Sequence, residues 1–425
     1  MFTHTGSCVL LITETRYTLK TNKYSFTFVI MLEKILLPQV QQFIKAHEKE
    51  DPFSLSLKYK EVAGLPIKVV AEQIAARQKA KNKLPEWHHT EGIIFPPLIS
   101  MEQCSSEASA KYKSTLISGR TLIDLTGGAG VDTYYLAKNF TEVHYIEQNH
   151  DLAQIIGHNL RMLNVDNLEI HECTAEAFLE RLKGNVDNFY IDPARRDNQQ
   201  QKVFRLEDCT PDVLQLLPQL LEKGRQTLIK TSPMLDLPLA INDLKKVKEV
   251  HVVSVDGECK EVLYLIDHEG DPSPKIITIN LKKNGTSEIF AFKMIEEADA
   301  QVSYSQPKIF LYEPNASILK AGGFKVISGK YRVDKLHQHT HLYTSSDYVD
   351  NFPGRSFKII DIIPYNKKAV ARLVPEKKAN ITTRNFPDDV AVIRKKLNLK
   401  DGGNKYLFAY TDVDNQKKIA VTEKT

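Results

Sequence analysis

Tryptophan occurs once and cysteine five times in these 425 residues. The cysteines, at positions 8, 104, 173, 209 and 259, make no Cys-x-x-Cys pair and no cluster. That scatter argues against a disulfide framework or a cysteine-held zinc site, and fits reduced thiols in the cytoplasm. No apolar run approaches the ~18 residues that a membrane-spanning helix needs. Internal repeats and low-complexity segments are missing as well. Nor is there much net charge, with 57 Lys+Arg against 53 Asp+Glu, a balance of +4. The balance is uneven, however. Residues 351–425 carry 16 basic and 8 acidic side chains, so this stretch is +8 and the remainder is about −4. A basic C-terminal region argues for a polyanionic partner; a solvated lysine-rich face is the plainer alternative.

A chain of this length is expected to hold two or three domains. Residues 1–30 have short apolar runs without a signal-peptide core. They read as a spurious or disordered extension ahead of Met31, which opens the amphipathic stretch MLEKILLPQVQQFIKAHE. Residues 31–115 read as helical, with a stop at Pro85, an FPP loop at 95–97, and Ser105 and Ser106 as N-cap candidates for a further helix. From residue 121 the rhythm changes. TLIDLT, EVHYIE, LEIHE, DNFYID and TLIKTS are short apolar strands separated by helical stretches of about ten residues. KEVHVVSV and KEVLYLID close the series as a hairpin around DGEC. Alternating strands and helices predict a doubly wound α/β sheet. Beyond Pro272 the pattern is β-rich and reads as one or two small α+β modules.

The chemistry concentrates at LIDLTGGAG. An acid ending the first strand, followed by a glycine-rich turn into a helix, is how α/β folds hold an adenosyl ligand. Glycine there lets the backbone approach the ligand closely. Gly128 and Gly130 take the tight positions, and the spacing is not the Gly-x-Gly-x-x-Gly of dinucleotide enzymes. Glu147 ends the second strand, where a carboxylate can accept both ribose hydroxyls. A dehydrogenase is disfavoured by that glycine spacing.

The matching stretches FPPLISMEQCSSEASAKYK, LIDLTGGAGVDTYYLA, IDPARRD, LIKTSPMLD, GECKEVLYL, LYEPNASILKAGGF, HLYTSS, FPGR and ANITTRNFP cover most of the chain. By them it resembles a bacterial family of class I S-adenosylmethionine-dependent methyltransferases with a THUMP-like C-terminal domain. A more distant similarity is to the cap-guanine N2 methyltransferases. The resemblance implies a Rossmann-like seven-stranded, mostly parallel sheet over residues 116–268, after the helical segment 31–115. A ferredoxin-like module over 269–345 and a basic THUMP-like domain over 346–425 would follow. THUMP domains proper are RNA-binding modules of RNA-modifying enzymes.

Carried over by residue, Asp124, Thr126, Gly128 and Gly130 would line the cofactor, Glu147 would hold its ribose, and Thr174 would meet the adenine amine without a charge. Asp192 and Pro193 would sit beside the reactive methyl. Enzymes that methylate amino nitrogens often carry Asp-Pro-Pro-aromatic here. This chain keeps Asp192 and Pro193 but has Ala194 and Arg195 instead. Asp192 can still accept an amine proton, while Arg195 and Arg196 can stack on a base or grip a phosphate. An ion-pair loop, Arg196 with Asp197 or Glu207, is the structural alternative. Lys230, ending the fifth strand, is a candidate for substrate phosphate, and Arg384 for RNA, along with Phe352, Arg355, Asn385, Arg394, Lys395 and Lys396. The histidines at 88, 89, 337, 339 and 341 read as RNA-facing or incidental, and no metal is expected. The leading expectation is methylation of a base in structured RNA, tRNA or rRNA. A small-molecule or protein methyltransferase, and a non-catalytic RNA-binding protein on the same fold, remain the alternatives.

Overall fold

The computed structural model describes residues 30–195 and 205–425. Residues 1–29, Arg196 and Asp197, and with them the expectations placed there, lie outside the described residues. The described chain forms two units: residues up to Glu102 together with Gln154–Met162, and Gln103–Ala153 together with Leu163–Thr425.

The first unit is helical, as the spacing predicts. Asp51 starts helix Pro52–Lys58 by accepting the Ser54 N–H at 3.0 Å. Helix Ile67–Lys83 buries Val70, Ile74 and Ala80, and ends ahead of Pro85. The FPP loop is held by Gln73, whose side chain both accepts from the Phe95 N–H at 2.9 Å and donates to its carbonyl at 2.8 Å. Asn159 clasps Ile94 in the same way, at 2.9 and 2.7 Å. The expected helical domain is shorter than 31–115. Helix Glu107–Ser114 belongs to the second unit, where it packs on helix Val131–Ala137. Its N-cap is Ser106, which accepts from the Ser109 N–H.

The second unit is built on a nine-stranded sheet. Its strands are β1 (Gly119–Asp124), β2 (Phe140–Ile146), β3 (Leu168–His171), β4 (Val186–Ile191), β5 (Gly224–Thr231), β6 (Val247–Val255), β7 (Glu258–Asp267), β8 (Lys275–Leu281) and β9 (Ser287–Lys293). The order is β9-β8-β6-β7-β5-β4-β1-β2-β3. Strands β3, β2, β1, β4 and β5 run parallel, and β7 enters antiparallel between β5 and β6. The central strands are apolar on both faces, as helix-covered parallel strands must be: Leu122, Ile123, Phe189, Tyr190, Ile191, Leu228 and Ile229 are all buried. The β6–β7 hairpin turns at Asp256 and Gly257, both with positive φ, which matches strand twist. The sheet does not stop at 268. Strand β8 pairs parallel to β6, and β9 pairs back on β8, so 275–293 extend the large sheet instead of opening a separate module.

A second sheet follows, of β10 (Phe310–Pro314), β11 (Asp334–His337), β12 (Thr340–Ser345), β13 (Gly354–Pro364), β14 (Asn380–Arg384), β15 (Lys405–Thr411) and β16 (Lys417–Lys424). Its order is β11-β12-β10-β13-β16-β15-β14. The long strand β13 pairs β10 on one side and β16 on the other, so the two expected C-terminal modules share one sheet. Helix Ala316–Ala321 packs on β6, β7 and β8, and Ile318, Tyr312 and Tyr343 join the core of the large sheet. Among the described residues no helix is long and apolar enough to cross a membrane.

Candidate active site

The site forms where β1, β2 and β4 end, at the carboxyl edge of the parallel strands, the usual ligand edge of such sheets. Asp124 closes β1 and is buried. One carboxylate oxygen accepts the Thr133 hydroxyl at 2.6 Å and the other the Thr126 N–H at 3.0 Å. Burial, helped by the charges of Asp132 and Asp192, outweighs these bonds and pushes its pKa up to about 7.

The glycine turn is tight. Gly128 and Gly130 have φ of +54° and +69°, the left-handed region that glycine enters freely. Gly127 is indispensable for another reason: a Cβ there would overlap the Tyr145 ring. The Tyr145 hydroxyl in turn donates to the Gly128 carbonyl at 2.6 Å. Glu147, just beyond β2, accepts the Gly128 N–H at 3.0 Å and the Asn149 N–H at 2.7 Å. The turn and the second-strand acid are thus brought together. Thr126 links them to β4, its hydroxyl oxygen accepting the Asp192 N–H at 2.6 Å.

Asp192 is half-buried beside the buried Pro193. Its carboxylate is bonded to the ammonium of Lys230, which ends β5's inner row and is only 9% exposed. Burial alone would push Lys230 down. The carboxylates of Asp192, Asp132 and Glu261 overcome it and hold the amine well above its ordinary range. Lys230 therefore faces inward to Asp192, and a phosphate outside would find its ammonium engaged. Beneath the pair lies a second layer. Lys113, fully buried, donates to both oxygens of Glu261 at 2.8 Å and lies 3.1 Å from Asp132. Asp132 also accepts the hydroxyls of Tyr190 at 2.7 Å and Ser105 at 2.8 Å. Burial would raise Asp132, but Lys113 and Lys230 and these donors keep it below the usual carboxylate range. Sequence reasoning missed Lys113, Asp132 and Glu261; a lysine and two acids on separate elements carry no motif.

A small cavity of ≈ 50 Å³ is lined by Ser105, Thr126, Gly128, Gly130, Asp132, Tyr190 and Asp192. A larger hollow of ≈ 530 Å³, lined by Arg120, Asp187, Arg225 and His268, lies at the opposite end of the strands, away from every one of these groups. The small cavity is the relevant one, because the glycine turn and the acids converge on it.

Other expected residues fall elsewhere. Thr174 caps helix Ala175–Arg181, accepting the Ala177 N–H at 3.2 Å, so its hydroxyl already serves the backbone. The backbone of Arg195 pairs with Cys209 in a two-residue ladder. Arg384 turns inward, donating to Glu313 at 2.7 Å, and Arg355 bonds the same carboxylate. Phe352 is buried among Tyr312, Tyr331 and Tyr343, with no face for a base. Arg394 and Lys396 pair with Asp401 and Asp388. His88 bonds Glu48, and His341 stacks on Phe324 at 3.5 Å. The triad His144, Glu169 and His171, unremarked in the sequence, brings three ligand-type atoms within 4.8 Å of one another.

Comparison with known proteins agrees with this geometry. Residues 119–214 match the model of the RNA cap guanine-N2 methyltransferases, 310–353 a ferredoxin-like domain and 354–424 a THUMP domain-like family. The ribosomal RNA small subunit methyltransferase J of Coxiella burnetii (strain Dugway 5J108-111) is 31% identical over 133 residues, 28% of this chain and 52% of that protein. Its counterpart in strain RSA 493 / Nine Mile phase I matches equally. The chain thus spans about half the length of the curated relatives it matches. A protein of Porphyromonas gingivalis W83, assigned as a methyltransferase and known from its crystal structure, is 32% identical. That match covers 92% of this chain and 98% of the other, with a TM-score of 0.81. At that identity and coverage the chain belongs to the same family, methyltransferases whose catalytic sheet is followed by a ferredoxin-like and a THUMP-like domain.

Proposed function

We propose that this methyltransferase uses S-adenosylmethionine to methylate an amino nitrogen on a base of structured RNA, tRNA or rRNA, in the cytoplasm. The observation that carries the reading is the junction of three strand ends. Thr126 of the glycine turn holds the Asp192 backbone, and Asp192 lies in the cavity that the turn lines. The residues fit the cofactor. Gly128 and Gly130 add no side chain of their own to that cavity's wall, Asp124 lies behind the turn, and Glu147, bonded to the Gly128 N–H, is the acid suited to a ribose. When bound, S-adenosylmethionine supplies an electrophilic methyl group.

The protein's share is then positioning and charge. Lys230 fixes one oxygen of Asp192. The other oxygen is left to accept a hydrogen bond from the target amine and aim its lone pair. Pro193 stiffens the loop. In sequence, Arg195 and Arg196 stand where related enzymes carry an aromatic clamp, and guanidinium groups are able to stack on a base or grip a phosphate. The names of the curated relatives and the THUMP-like match both support RNA as the substrate.

The test is transfer of radiolabelled methyl from S-adenosylmethionine to total small and ribosomal RNA from a strain deleted for this gene. Wild-type protein should label one RNA, and Asp192→Ala should not. Digestion to nucleosides would then name the base. Equal labelling by Asp192→Ala would overturn the role of that residue. Cofactor binding with no RNA labelled would move the substrate to protein or small molecules.

A further inference from the structure

His144 on β2 and Glu169 on β3 are direct partners across a parallel ladder, and His171 follows two residues later on the same face. This brings His144 Nδ1 to 3.0 Å from His171 Nε2. Glu169 lies beside both rings, with one carboxylate oxygen 3.5 Å from His144 Nδ1 and the other 3.5 Å from His171 Nε2, and one ligand atom from each of the three residues falls within 4.8 Å of the others. Tetrahedral zinc holds nitrogen and oxygen ligands at about 2.0–2.2 Å, which sets the ligand atoms roughly 3.3 Å from one another. The nitrogen–nitrogen distance and each nearest nitrogen–oxygen distance are close to that spacing, the two oxygens being different atoms of one carboxylate.

The arrangement goes beyond a hydrogen bond between imidazoles. One proton between two neutral rings satisfies one donor and one acceptor. It leaves the carboxylate facing a ring nitrogen whose lone pair is already used. A cation at the centre takes a lone pair from all three groups. The surroundings are those of a held metal ligand. His144 Nε2, its far nitrogen, lies 3.3 Å from Glu142, a carboxylate that can fix the ring's tautomer and orientation. Phe178 packs on both rings, 6.0 Å from His144 and 4.8 Å from His171, and covers one side. The carboxylate of Glu169 is 63% exposed and the rings are 16% and 25% exposed, so an ion can enter and a fourth position stays open to water.

We infer that His144, Glu169 and His171 bind a divalent transition metal of the zinc type, as a clamp between β2 and β3. Imidazole with one carboxylate selects this class over magnesium or calcium, which take oxygen ligands. The location explains its use. Strand β3 is four residues long, lies at the sheet edge and pairs only with β2 among the described strands. The chain leaves it directly for Thr174 and the helix that Thr174 caps. A metal across the two strands would pin this edge beside the end of β2, where Glu147 stands. Such a clamp is independent of the RNA substrate and of Asp192.

The experiment is titration of the full chain, stripped with chelator, with Co(II) alone as the probe. One equivalent should bind, with the visible absorption of a four-coordinate site, and Zn(II) should displace it. Zn(II) should also raise the melting temperature. Glu169→Gln, at an exposed position where folding is not at risk, should weaken Co(II) binding at least tenfold. His144→Ala with His171→Ala should abolish it. Asp192→Ala should leave the spectrum intact. Absence of the absorption at one equivalent, or an identical spectrum in the double histidine variant, would overturn the site.

Discussion

Lys230 and Asp192 meet from adjacent strands: Ile191 pairs with Ile229, so the next residues of β4 and β5 face one another at the sheet edge. The ammonium is buried and the carboxylate half-exposed, so the acid lines the cavity while its counter-charge stays inside. Lys230→Met should leave S-adenosylmethionine affinity nearly unchanged while lowering kcat by about two orders of magnitude, the usual scale for losing one preorganised charge. It should also cost about 3 kcal/mol of stability, because Asp132 and Glu261 lose a buried partner. Steady-state kinetics with a calorimetric cofactor titration would check both. A Lys230→Met enzyme with normal kcat would mean that the pair serves folding alone.

Gly127 offers a steric test of the turn. The Tyr145 ring fills the place of a Cβ, and its hydroxyl is tied to Gly128. Gly127→Ala should therefore displace a fully buried ring and cost about 1–3 kcal/mol or more, as overpacking does. Cofactor affinity should fall with it. Tyr145→Phe removes only the hydroxyl bond, so it should cost about 1 kcal/mol and retain binding. Denaturant melts and cofactor titrations of both variants would distinguish shape from hydrogen bonding.

Asp124 makes stability depend on pH. Its folded pKa is pushed up to about 7, chiefly by burial, from an ordinary 3.8. Between those values the folded chain keeps a proton that the unfolded chain has released. Stability from this group therefore falls as pH rises through the window, by at most roughly 4 kcal/mol. Asp124→Asn has the same shape and no titration. The stability of the variant relative to wild type should climb from about pH 4 to about pH 7 and then level off. Urea melts across that range would show it. A constant difference would mean that Asp124 ionises normally inside the fold.

The strand series was readable because buried parallel strands are short apolar runs bounded by glycine, proline and acids. The turn at 127–130 was readable because few residues other than glycine tolerate its φ angles. Pairing was another matter. KIITINL and EIFAFKM are strands in the sequence, but nothing in their alternation says that β8 joins β6 across a crossover. Side-chain direction was equally hidden. Phe352 and Arg384 look like nucleic-acid contacts by type, yet one fills a core among three tyrosines and the other neutralises Glu313. Lys230 was legible as a strand-end cation, and only the register of β4 on β5 turned it toward Asp192. His144 and His171 were invisible because their spacing is set by the ladder, not by the sequence between them.

The basic C-terminal region contains cations engaged in ion pairs and cations exposed on its surface, which the proposed RNA substrate would meet. Arg384 and Arg355 are taken by Glu313, which is 4% exposed. Lys367, Lys368 and Lys395 are exposed, on two helices that pack together, Lys367–Leu373 and Val390–Leu397. Arg384→Met should lower the melting temperature, costing about 2 kcal/mol once its partial exposure is allowed for, with a small effect on RNA affinity measured on the folded protein. Reversing Lys367, Lys368 and Lys395 to Glu should leave the fold alone. It should weaken RNA binding and flatten the dependence of log affinity on log salt by about 0.7–0.9 for each phosphate that is no longer neutralised. Fluorescence anisotropy with a structured RNA over a salt series gives both numbers. If the triple variant keeps the wild-type slope, the RNA is held elsewhere and the lysines are only a solvated face.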